Sequence, residues 1–105
     1  MKTFSEILSS EKPVLVDFSA AWCGPCKMLE PIIEQVKQNM AGKAEVLTVD
    51  VDSNSLLASV YNIRSVPTLI IFMKGEVMWR QSGVLSAEMI EAQLWQFVKK
   101  DEMIA

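Results

Sequence analysis

Residues 14–27 read VLVDFSAAWCGPCK, and this stretch decides the fold. Around its start, residues 13–18 form an apolar run in which Asp17 is the only charged residue. A short apolar run bounded by proline and small residues predicts a strand that is covered on both faces. Residues 19–22 then form a loop, and a helical pattern begins at about Cys23. A buried strand therefore leads into a helix whose first turn holds two cysteines.

Further strand-like and helix-like patterns extend in both directions from this stretch. Thr3 and Glu6 have the spacing of a capping box, which predicts a short first helix that ends near Ser10. The long helix after the cysteines contains Pro31, which predicts a kink, and it ends near Gly42. Its apolar face consists of Met28, Leu29, Ile32, Ile33, Val36 and Met40.

The second half of the chain predicts three more strands and two helices. Residues 44–51 form the second strand, residues 67–73 the third and residues 76–81 the fourth, with a two-residue hairpin turn at residues 74–75. Ser86 caps the last helix. The apolar residues expected in the core are Leu56, Leu57, Val60 and Tyr61 in the helix between the second and third strands, and Ile90, Leu94, Phe97 and Val98 in the last helix.

The order of these elements indicates the fold class. Strand–helix–strand units are typical of parallel neighbours, and the final hairpin adds an antiparallel edge. The pattern predicts an α/β sandwich of three layers, in which a mixed four-stranded sheet is flanked by helices on both faces. A length of 105 residues without a linker-like segment favours one domain over residues 1–105.

The composition argues against several classes of function. The chain has no histidine, so it offers neither a Cys-His nucleophile pair nor an imidazole metal ligand. Two cysteines cannot close a tetrahedral zinc site, and no metal is expected. A net charge of −3 without a basic run argues against nucleic acid, and no apolar run approaches the ~20 residues of a membrane span. The first residues, MKTFSE, lack the apolar stretch of a signal peptide.

The chemistry is expected at Cys23 and Cys26, the two cysteines of the chain. Two inert, buried cysteines are one alternative, and zinc or iron–sulfur sites with the same spacing need further ligands that this chain lacks. At a helix start, unsatisfied N–H groups and the helix dipole favour a thiolate, which makes Cys23 the expected nucleophile. Cys26 lies one turn further on, where it can attack a mixed disulfide on Cys23, and Pro25 stiffens the ring between them.

The motif WCGPCK at residues 22–27, preceded by VDFSA at residues 16–20, resembles the active site of the thioredoxin family. The segment VPT at residues 66–68, the turn at residues 74–75 and Gly83 match the same family in order and spacing. The resemblance extends over nearly the whole chain. It implies a thioredoxin-like fold and thiol–disulfide oxidoreductase activity.

The resemblance also implies a substrate-binding surface beside the cysteines. Pro67 is expected to follow a cis peptide bond opposite the cysteines, which directs the backbone N–H and C=O of Val66 towards an extended substrate segment. Trp22 flanks the disulfide in the family, and a core aromatic is the alternative. Gly83 and Val84 are expected to complete an apolar collar around Cys23. The residues implied to contact substrate are Trp22, Gly24, Pro25, Val66, Pro67, Gly83 and Val84.

Asp17 shares a strand face with Leu15 inside a strand that is covered on both faces. Burial is costly for a carboxylate unless it is protonated or hydrogen-bonded, and it raises the pKa of the aspartate. In the functional interpretation, Asp17 lies behind Cys26 and accepts its proton as Cys26 attacks, a task that suits a pKa near neutrality. A structural aspartate bonded to nearby backbone is the alternative.

The sequence departs from the family's pattern in two places. Thr48 stands where the bacterial pattern has a lysine near the buried aspartate, and Glu30 can add negative charge instead, so both changes raise the expected pKa of Asp17. The N-terminal edge strand of the family is expected to be missing, which makes residues 44–51 an exposed sheet edge. Charged residues discourage pairing along this edge, so a monomer is expected, with dimerisation through the edge as the alternative.

Together these features favour a protein disulfide reductase that attacks the disulfides of target proteins. Gly-Pro between the cysteines resembles the reducing members of the family, whereas oxidising or isomerising members more often carry a histidine there. The sequence has no flavin, nicotinamide or metal motif, so no cofactor is expected, and electrons come from a thioredoxin reductase or a small thiol. The expected compartment is the cytoplasm, where thiols stay reduced. The alternatives are an oxidising or isomerising enzyme of an extracytoplasmic compartment and a binding module without turnover.

Overall fold

The computed structural model describes residues 1–99, which form four helices and four strands. Most element boundaries lie within two residues of those predicted, and the last six residues of the predicted single domain lie outside the described residues. No helix in the described range is long and apolar enough to cross a membrane. In chain order the elements are α1 (Phe4–Leu8), β1 (Val14–Ser19), α2 (Gly24–Asn39), β2 (Glu45–Asp50), α3 (Ser55–Val60), β3 (Thr68–Met73), β4 (Glu76–Ser82) and α4 (Ala87–Trp95).

The four strands form one mixed sheet in the order β2-β1-β3-β4. β1 and β2 are parallel, with Val14 opposite Glu45 and Ser19 opposite Asp50. β3 is antiparallel to β1, and β4 is antiparallel to β3. The mixed four-stranded sheet is therefore confirmed. The expectation that each strand–helix–strand unit joins parallel strands is wrong for β2, α3 and β3.

Helix length explains why β3 runs the other way. α2 has 16 residues and spans about 24 Å, so it carries the chain back past six-residue strands of about 20 Å. α3 has six residues and spans about 9 Å, which is too short to return the chain to the end of the sheet where β2 begins. β3 therefore starts at the end where β2 finishes.

Each face of the sheet buries its own apolar cluster, because side chains alternate along a strand. Val14, Val16 and Phe18 of β1 pack with residues of α1 and α3 on one face. Leu15 packs with α2 and α4 on the other, and the same alternation places Asp17 on that second face. The predicted three layers follow from this. The second cluster contains Leu15, Leu29, Ile33, Val36, Met40, Val46, Leu69, Ile71, Ile90, Leu94 and Val98.

Local signals set the ends of several elements. The Thr3 hydroxyl accepts from the Glu6 amide at 3.1 Å, and the Glu6 carboxylate accepts from the Thr3 amide, so the capping box is confirmed. The Ser86 hydroxyl accepts a backbone hydrogen bond at 3.2 Å at the start of α4. Lys74 and Gly75 have φ values of 54° and 82°, as a two-residue hairpin turn with two positive φ angles requires.

Three apolar residues that the periodicity predicts in the core are exposed instead. Met28 of α2 is 66 % exposed, and Leu56 and Val60 of α3 are 78 % and 66 % exposed. In the region of α3, Leu57 and the C-cap residue Tyr61, each one position after an exposed residue, pack against the core instead. A six-residue helix contacts the sheet along one narrow stripe, so apolar residues beside the stripe stay in solvent.

β2 and β4 are the edge strands of the sheet formed by residues 1–99. The exposed edge predicted at residues 44–51 is therefore confirmed for β2. Two of its six residues are buried, Val46 in the cluster on one face of the sheet and Val49 in the cluster on the other. Glu45 and Asp50 lie at its two ends, and together with Lys43, just before the strand, they are the charges expected to discourage pairing with another strand.

Gly75 and Gly24 offer a matched test of the hairpin turn. A Cβ atom added at either glycine meets no heavy atom within 4 Å, but of the two only Gly75 has a positive φ. Gly75→Ala is expected to lower the free energy of unfolding by ~1 kcal/mol, because that conformation disfavours an L side chain. Gly24→Ala, in helix α2, should leave it unchanged or raise it. Urea unfolding measures both, and an equal loss in the two variants would contradict this account of the turn.

Candidate active site

The cysteine pair lies where β1 ends and α2 begins. Cys23 is the N-cap of α2, with φ −92° and ψ 116°, and its sulfur accepts a hydrogen bond from the Cys26 amide at 3.2 Å. That amide is one of the first-turn N–H groups that have no partner within a helix, and the intervening Pro25 has no N–H of its own. The helix therefore presents a backbone donor and the positive end of its dipole to the Cys23 sulfur.

Cys23 and Cys26 are joined by a disulfide, with their Cα atoms 5.2 Å apart. This separation lies within the range that a disulfide spans without backbone movement. Cys23 is 4 % exposed and Cys26 is 1 % exposed, so both are buried and Cys23 is the outer of the two. The cover comes from Ala20 and from the partly buried Val51 and Val66, which pack against the pair. Access to the disulfide is therefore narrow.

The segment that precedes β3 lies opposite the pair. The Val66–Pro67 peptide bond is cis, which confirms the expectation for Pro67, and the Val66 carbonyl oxygen lies 3.6 Å from the Cys23 sulfur. A disulfide sulfur carries no proton, so this approach becomes a hydrogen bond only when Cys23 is a thiol. The Pro67 carbonyl accepts from the Gly83 amide at 2.9 Å. The end of β4 is thereby held beside the cis proline.

The other residues predicted to contact substrate lie at the surface around this point. Gly24 and Pro25 are exposed and form the first turn of α2 between the two cysteines. Gly83 has φ 95°, a value that only glycine adopts readily, and the next residue, Val84, is 38 % exposed. The turn at Gly83 thus leads the chain out of β4 with Val84 partly in solvent.

Trp22 is 71 % exposed, which contradicts the alternative of a core aromatic. Its indole N–H donates to Oδ2 of Asp52 at 2.8 Å. The indole is therefore fixed in orientation while its surface stays open to solvent. Trp22 lines a cavity of about 170 Å³ together with Val51, Ile63, Arg64, Ser65 and Val66.

Asp52 belongs to the site through its hydrogen bond with Trp22, although the sequence alone does not single it out as a functional residue. In the structure the N-cap of α3 is Asn54, whose side-chain amide donates to the Asp50 carbonyl at 3.0 Å instead of capping the helix. Trp22 follows β1 and Asp52 follows β2, and these two strands are parallel neighbours. Residues that follow the carboxyl ends of neighbouring parallel strands meet at one edge of a sheet. The proximity of Trp22 and Asp52 could therefore have been inferred from the sequence once β1 and β2 were known to be parallel neighbours.

Asp17 is 1 % exposed on the face of β1 that α2 covers. Its Oδ1 atom has no hydrogen-bond partner among residues 1–99, which contradicts the backbone-bonded alternative for this oxygen. Burial first, and then the negative charge of Glu30 on α2, raise the pKa of Asp17 from 3.8 to about 6. Thr48 lies opposite Asp17 in the register of β1 and β2, so this position supplies a neutral hydroxyl rather than a cation. The raised pKa expected from the sequence is confirmed.

A cavity of about 190 Å³ lies beside Glu30 at the edge of the sheet. Glu30 of α2 and Thr48 and Asp50 of β2 line it. Within residues 1–99, no group of three or more His, Cys, Asp or Glu side chains is placed to hold a metal ion. The complete lining is Ser19, Ala20, Ala21, Glu30, Thr48 and Asp50.

Several known proteins resemble this chain over most of its length. Residues 1–96 match the family model for thioredoxin. A thioredoxin-like protein from Synechocystis sp. is 45 % identical over 96 residues, which cover 90 % of this chain and 91 % of that protein. A thioredoxin from Chlorobaculum thiosulfatiphilum is 47 % identical over 90 residues, which cover 86 % and 83 %. A solved structure of a mutant thioredoxin from Halobacterium salinarum NRC-1 has a TM-score of 0.82 at 37 % identity, covering 90 % of this chain and 82 % of that one.

Sequence, fold and site geometry agree. The matched range contains both cysteines, and the structure joins them at the start of α2. The four-stranded sheet with helices on both faces superimposes on a thioredoxin structure. This chain therefore belongs to the thioredoxin family, and it is a thiol–disulfide oxidoreductase whose targets are proteins that contain disulfides.

Proposed function

We propose that this protein reduces the disulfides of other proteins, with Cys23 as nucleophile, Cys26 as resolving cysteine and Asp17 as proton acceptor. The observation that carries the proposal is the hydrogen bond from the Cys26 amide to the Cys23 sulfur. A donor aimed at this sulfur stabilises the thiolate, which is the nucleophilic form of cysteine. Cys26 is the more buried of the two, which suits an attack on an intermediate already held in place.

The exchange takes place in two steps. The Cys23 thiolate attacks one sulfur of the target disulfide, which forms a mixed disulfide and releases the other target sulfur as a thiolate. Cys26 then loses its proton and attacks the Cys23 sulfur, so the bond from Cys23 to the target breaks and the second target thiolate leaves. Two electrons pass to the target, whose thiolates take up two protons. The product is the Cys23–Cys26 disulfide of this structure.

Asp17 is proposed to accept the Cys26 proton in the second step. The carboxyl group lies on the face of the sheet that α2 covers, and α2 is the helix that carries Cys26. With a pKa of about 6, the carboxylate is mostly ionised at neutral pH and is a stronger base than an ordinary aspartate. Its Oδ1 atom, which has no partner among residues 1–99, is the atom proposed to take the proton.

An extended segment of the target is proposed to lie across the surface around the pair. The Val66 carbonyl lies 3.6 Å from the Cys23 sulfur, so a target strand that pairs with Val66 brings its own cysteine to the nucleophile. The exposed Trp22 ring, which is hydrogen-bonded to Asp52, is proposed to offer an aromatic surface for apolar side chains of the target. The proposed contact residues are Trp22, Gly24, Pro25, Val66, Pro67, Gly83 and Val84.

The electron donor is proposed to be a thioredoxin reductase, and the compartment the cytoplasm. The sequence has no flavin or nicotinamide motif, so a second protein or a small thiol must regenerate the dithiol. Gly24 and Pro25 between the cysteines resemble the reducing members of the family, which supports a role in redox homeostasis. The protein is proposed to act as a monomer with one domain over residues 1–105.

Turnover of a protein disulfide with NADPH and thioredoxin reductase is the direct test of this function. A reductase turns over many equivalents of target, and its cysteine pair titrates at a strongly negative potential. An oxidising or isomerising enzyme would show a much less negative potential and little net reduction. A binding module would keep its partner in the double variant Cys23→Ser, Cys26→Ser and would show no turnover in the unmodified protein.

Single replacements of the cysteines separate their roles. Cys23→Ser is expected to abolish reduction of a protein disulfide, because no thiolate remains at the start of α2. Cys26→Ser is expected to stop after the first step and to accumulate a mixed disulfide, because nothing attacks the Cys23 sulfur. Mass spectrometry of the trapped species, before and after dithiothreitol, checks both outcomes. A mixed disulfide that forms on Cys26 in Cys23→Ser at the unmodified rate would reverse the assignment.

Asp17→Asn tests the proton acceptor. Resolution of the mixed disulfide by Cys26 is expected to slow by at least about tenfold, because the variant has no base at this position. Formation of the mixed disulfide by Cys23 should change much less. Rapid-quench kinetics over a range of pH separates the two steps. The assignment fails if resolution keeps its rate and its pH dependence near pH 6 in the variant.

The same variant is expected to be more stable at neutral pH. Because folding raises the pKa of Asp17 from 3.8 to about 6, the folded protein holds the carboxyl proton more tightly than the unfolded chain does. The unmodified protein therefore loses stability relative to Asp17→Asn as the pH rises from about 4 to about 6, by up to ~3 kcal/mol. Urea unfolding at several pH values measures this difference, and a difference that does not vary with pH would contradict the raised pKa.

Glu30→Gln tests the second cause of the raised pKa. Removal of this charge is expected to lower the pKa of Asp17 towards its ordinary value without reaching it, because burial is the larger cause. Glu34→Gln removes the same charge one turn later on α2 and is the matched control. Carbon NMR titration of the Asp17 carboxyl group measures the pKa in each variant. Equal shifts in the two variants would show that Glu30 has no local effect.

A further inference from the structure

Three hydroxyl groups form a ring at the end of the sheet nearest the active site. Thr68, the first residue of β3, lies directly opposite Ser82, the last residue of β4, and their hydroxyl oxygens are 2.9 Å apart. The Thr68 hydroxyl lies 2.7 Å from the Ser65 carbonyl oxygen, and the Ser65 hydroxyl lies 3.4 Å from Ser82 Oγ. Thr68 is 1 % exposed, whereas Ser65 and Ser82 reach the surface. We call Ser65, Thr68 and Ser82 the hydroxyl ring.

The Ser65 carbonyl sets the direction of every hydrogen bond in the hydroxyl ring. A carbonyl only accepts, so Thr68 donates its single hydroxyl proton to Ser65. Ser82 must then donate to Thr68, and the Ser65 hydroxyl donates to Ser82. Hydrogen bonds aligned head to tail strengthen one another. Loss of the Thr68 hydroxyl therefore breaks two of the three bonds and leaves a carbonyl without its partner.

The hydroxyl ring holds the chain on both sides of the residue that faces the nucleophile. Ser65 precedes Val66, and Thr68 follows Pro67, so the two ring members enclose the Val66–Pro67 pair. The Gly83 amide adds a third attachment, at 2.9 Å from the Pro67 carbonyl. The Val66 carbonyl, between these attachments, is the one that approaches the Cys23 sulfur.

The start of this segment is attached to β4 as well. The guanidinium of Arg80 donates to the carbonyls of Tyr61 and Asn62, at the C-terminal end of α3. Arg64 donates to the side-chain carbonyl of Asn62 at 3.2 Å. The connection between α3 and β3 is thus hydrogen-bonded at its beginning by Arg80 and at its end by the hydroxyl ring.

We propose that the hydroxyl ring is a positioning device for substrate binding, which fixes the Val66 backbone in the orientation that pairs with an extended segment of the target. The inference rests on the proposed function, in which that segment lies along Val66. Ser65, Thr68 and Ser82 act through Val66, so they are positioning residues rather than catalytic ones. They are expected to affect the reduction of peptide and protein disulfides, whose backbone can pair with Val66, and not that of small disulfides.

A positioning role of this kind changes the binding of a peptide more than the exchange chemistry. The Cys26–Cys23 hydrogen bond belongs to the junction of β1 and α2, whereas the hydroxyl ring joins β3 to β4. A small disulfide has no backbone to pair with Val66, so its reaction does not depend on the ring. A disulfide-bonded peptide does have one. Loss of about one net hydrogen bond should raise its KM roughly three- to tenfold.

Substitution of Thr68 provides the test. Thr68→Val keeps the shape of the side chain without the hydroxyl, and Thr68→Ser restores the hydroxyl. The full-length variants are compared for reduction of a disulfide-bonded peptide and of bis(hydroxyethyl) disulfide. Thr68→Val is expected to raise KM for the peptide roughly three- to tenfold, with kcat and the rate for the small disulfide within about twofold. Thr68→Ser is expected to return KM to that of the unmodified protein.

Thr3→Ala is the matched control, because it removes a hydroxyl hydrogen bond of 3.1 Å at the start of α1, outside the sheet. If Thr68→Val does not fold, Ser82→Ala takes its place, since Ser82 is exposed. A KM no higher than that of Thr3→Ala, or an equal slowing with both substrates, would overturn the proposal. If the unmodified protein fails to reduce the peptide at all, the proposed function fails instead.

Discussion

The hydrogen bond from the Cys26 amide to the Cys23 sulfur is the contact on which the rest of this structure depends. It exists because β1 ends at Ser19 and α2 begins at Gly24, so the first turn of the helix directs the Cys26 amide at the sulfur. In an unfolded chain, residues 23–26 have neither an amide oriented towards the sulfur nor a helix dipole. The two apolar clusters on the faces of the sheet hold strand and helix in the arrangement that creates this contact.

The Cys23 sulfur and the Asp17 carboxyl group have different electrostatic surroundings. The start of α2 places the Cys26 amide against the Cys23 sulfur, whereas burial and the charge of Glu30 raise the pKa of the Asp17 carboxyl group to about 6. In the proposed function these different surroundings correspond to different roles, with Cys23 as the nucleophile and Asp17 as the base. β1 and the helix that follows it carry both of these proposed groups.

Local signals in the sequence were sufficient to predict β1, α2 and the cysteine pair, because an apolar run and a helix start depend on neighbouring residues. The direction of β3 could not be predicted in this way, since it depends on how far six residues of α3 carry the chain. The exposure of Leu56 has the same origin. Contacts such as Trp22 with Asp52, 30 residues apart, require the strand order before they can be inferred.

Because α3 is short, β3 starts at the end of the sheet where β2 finishes, and this sorts the connecting loops between the two ends of the sheet. β1 and β2 finish, and β3 starts, at the end that carries Cys23 and Val66. The opposite end carries the hairpin turn, which is fastened to the region of α1 through backbone bonds from Lys74 to Ser10 and from Gly75 to Leu8. A reporter group or a longer hairpin attached at this turn would lie at the opposite end of the sheet from Cys23 and Val66. The end of the sheet with the hairpin turn is therefore separate from the end that carries the cysteine pair.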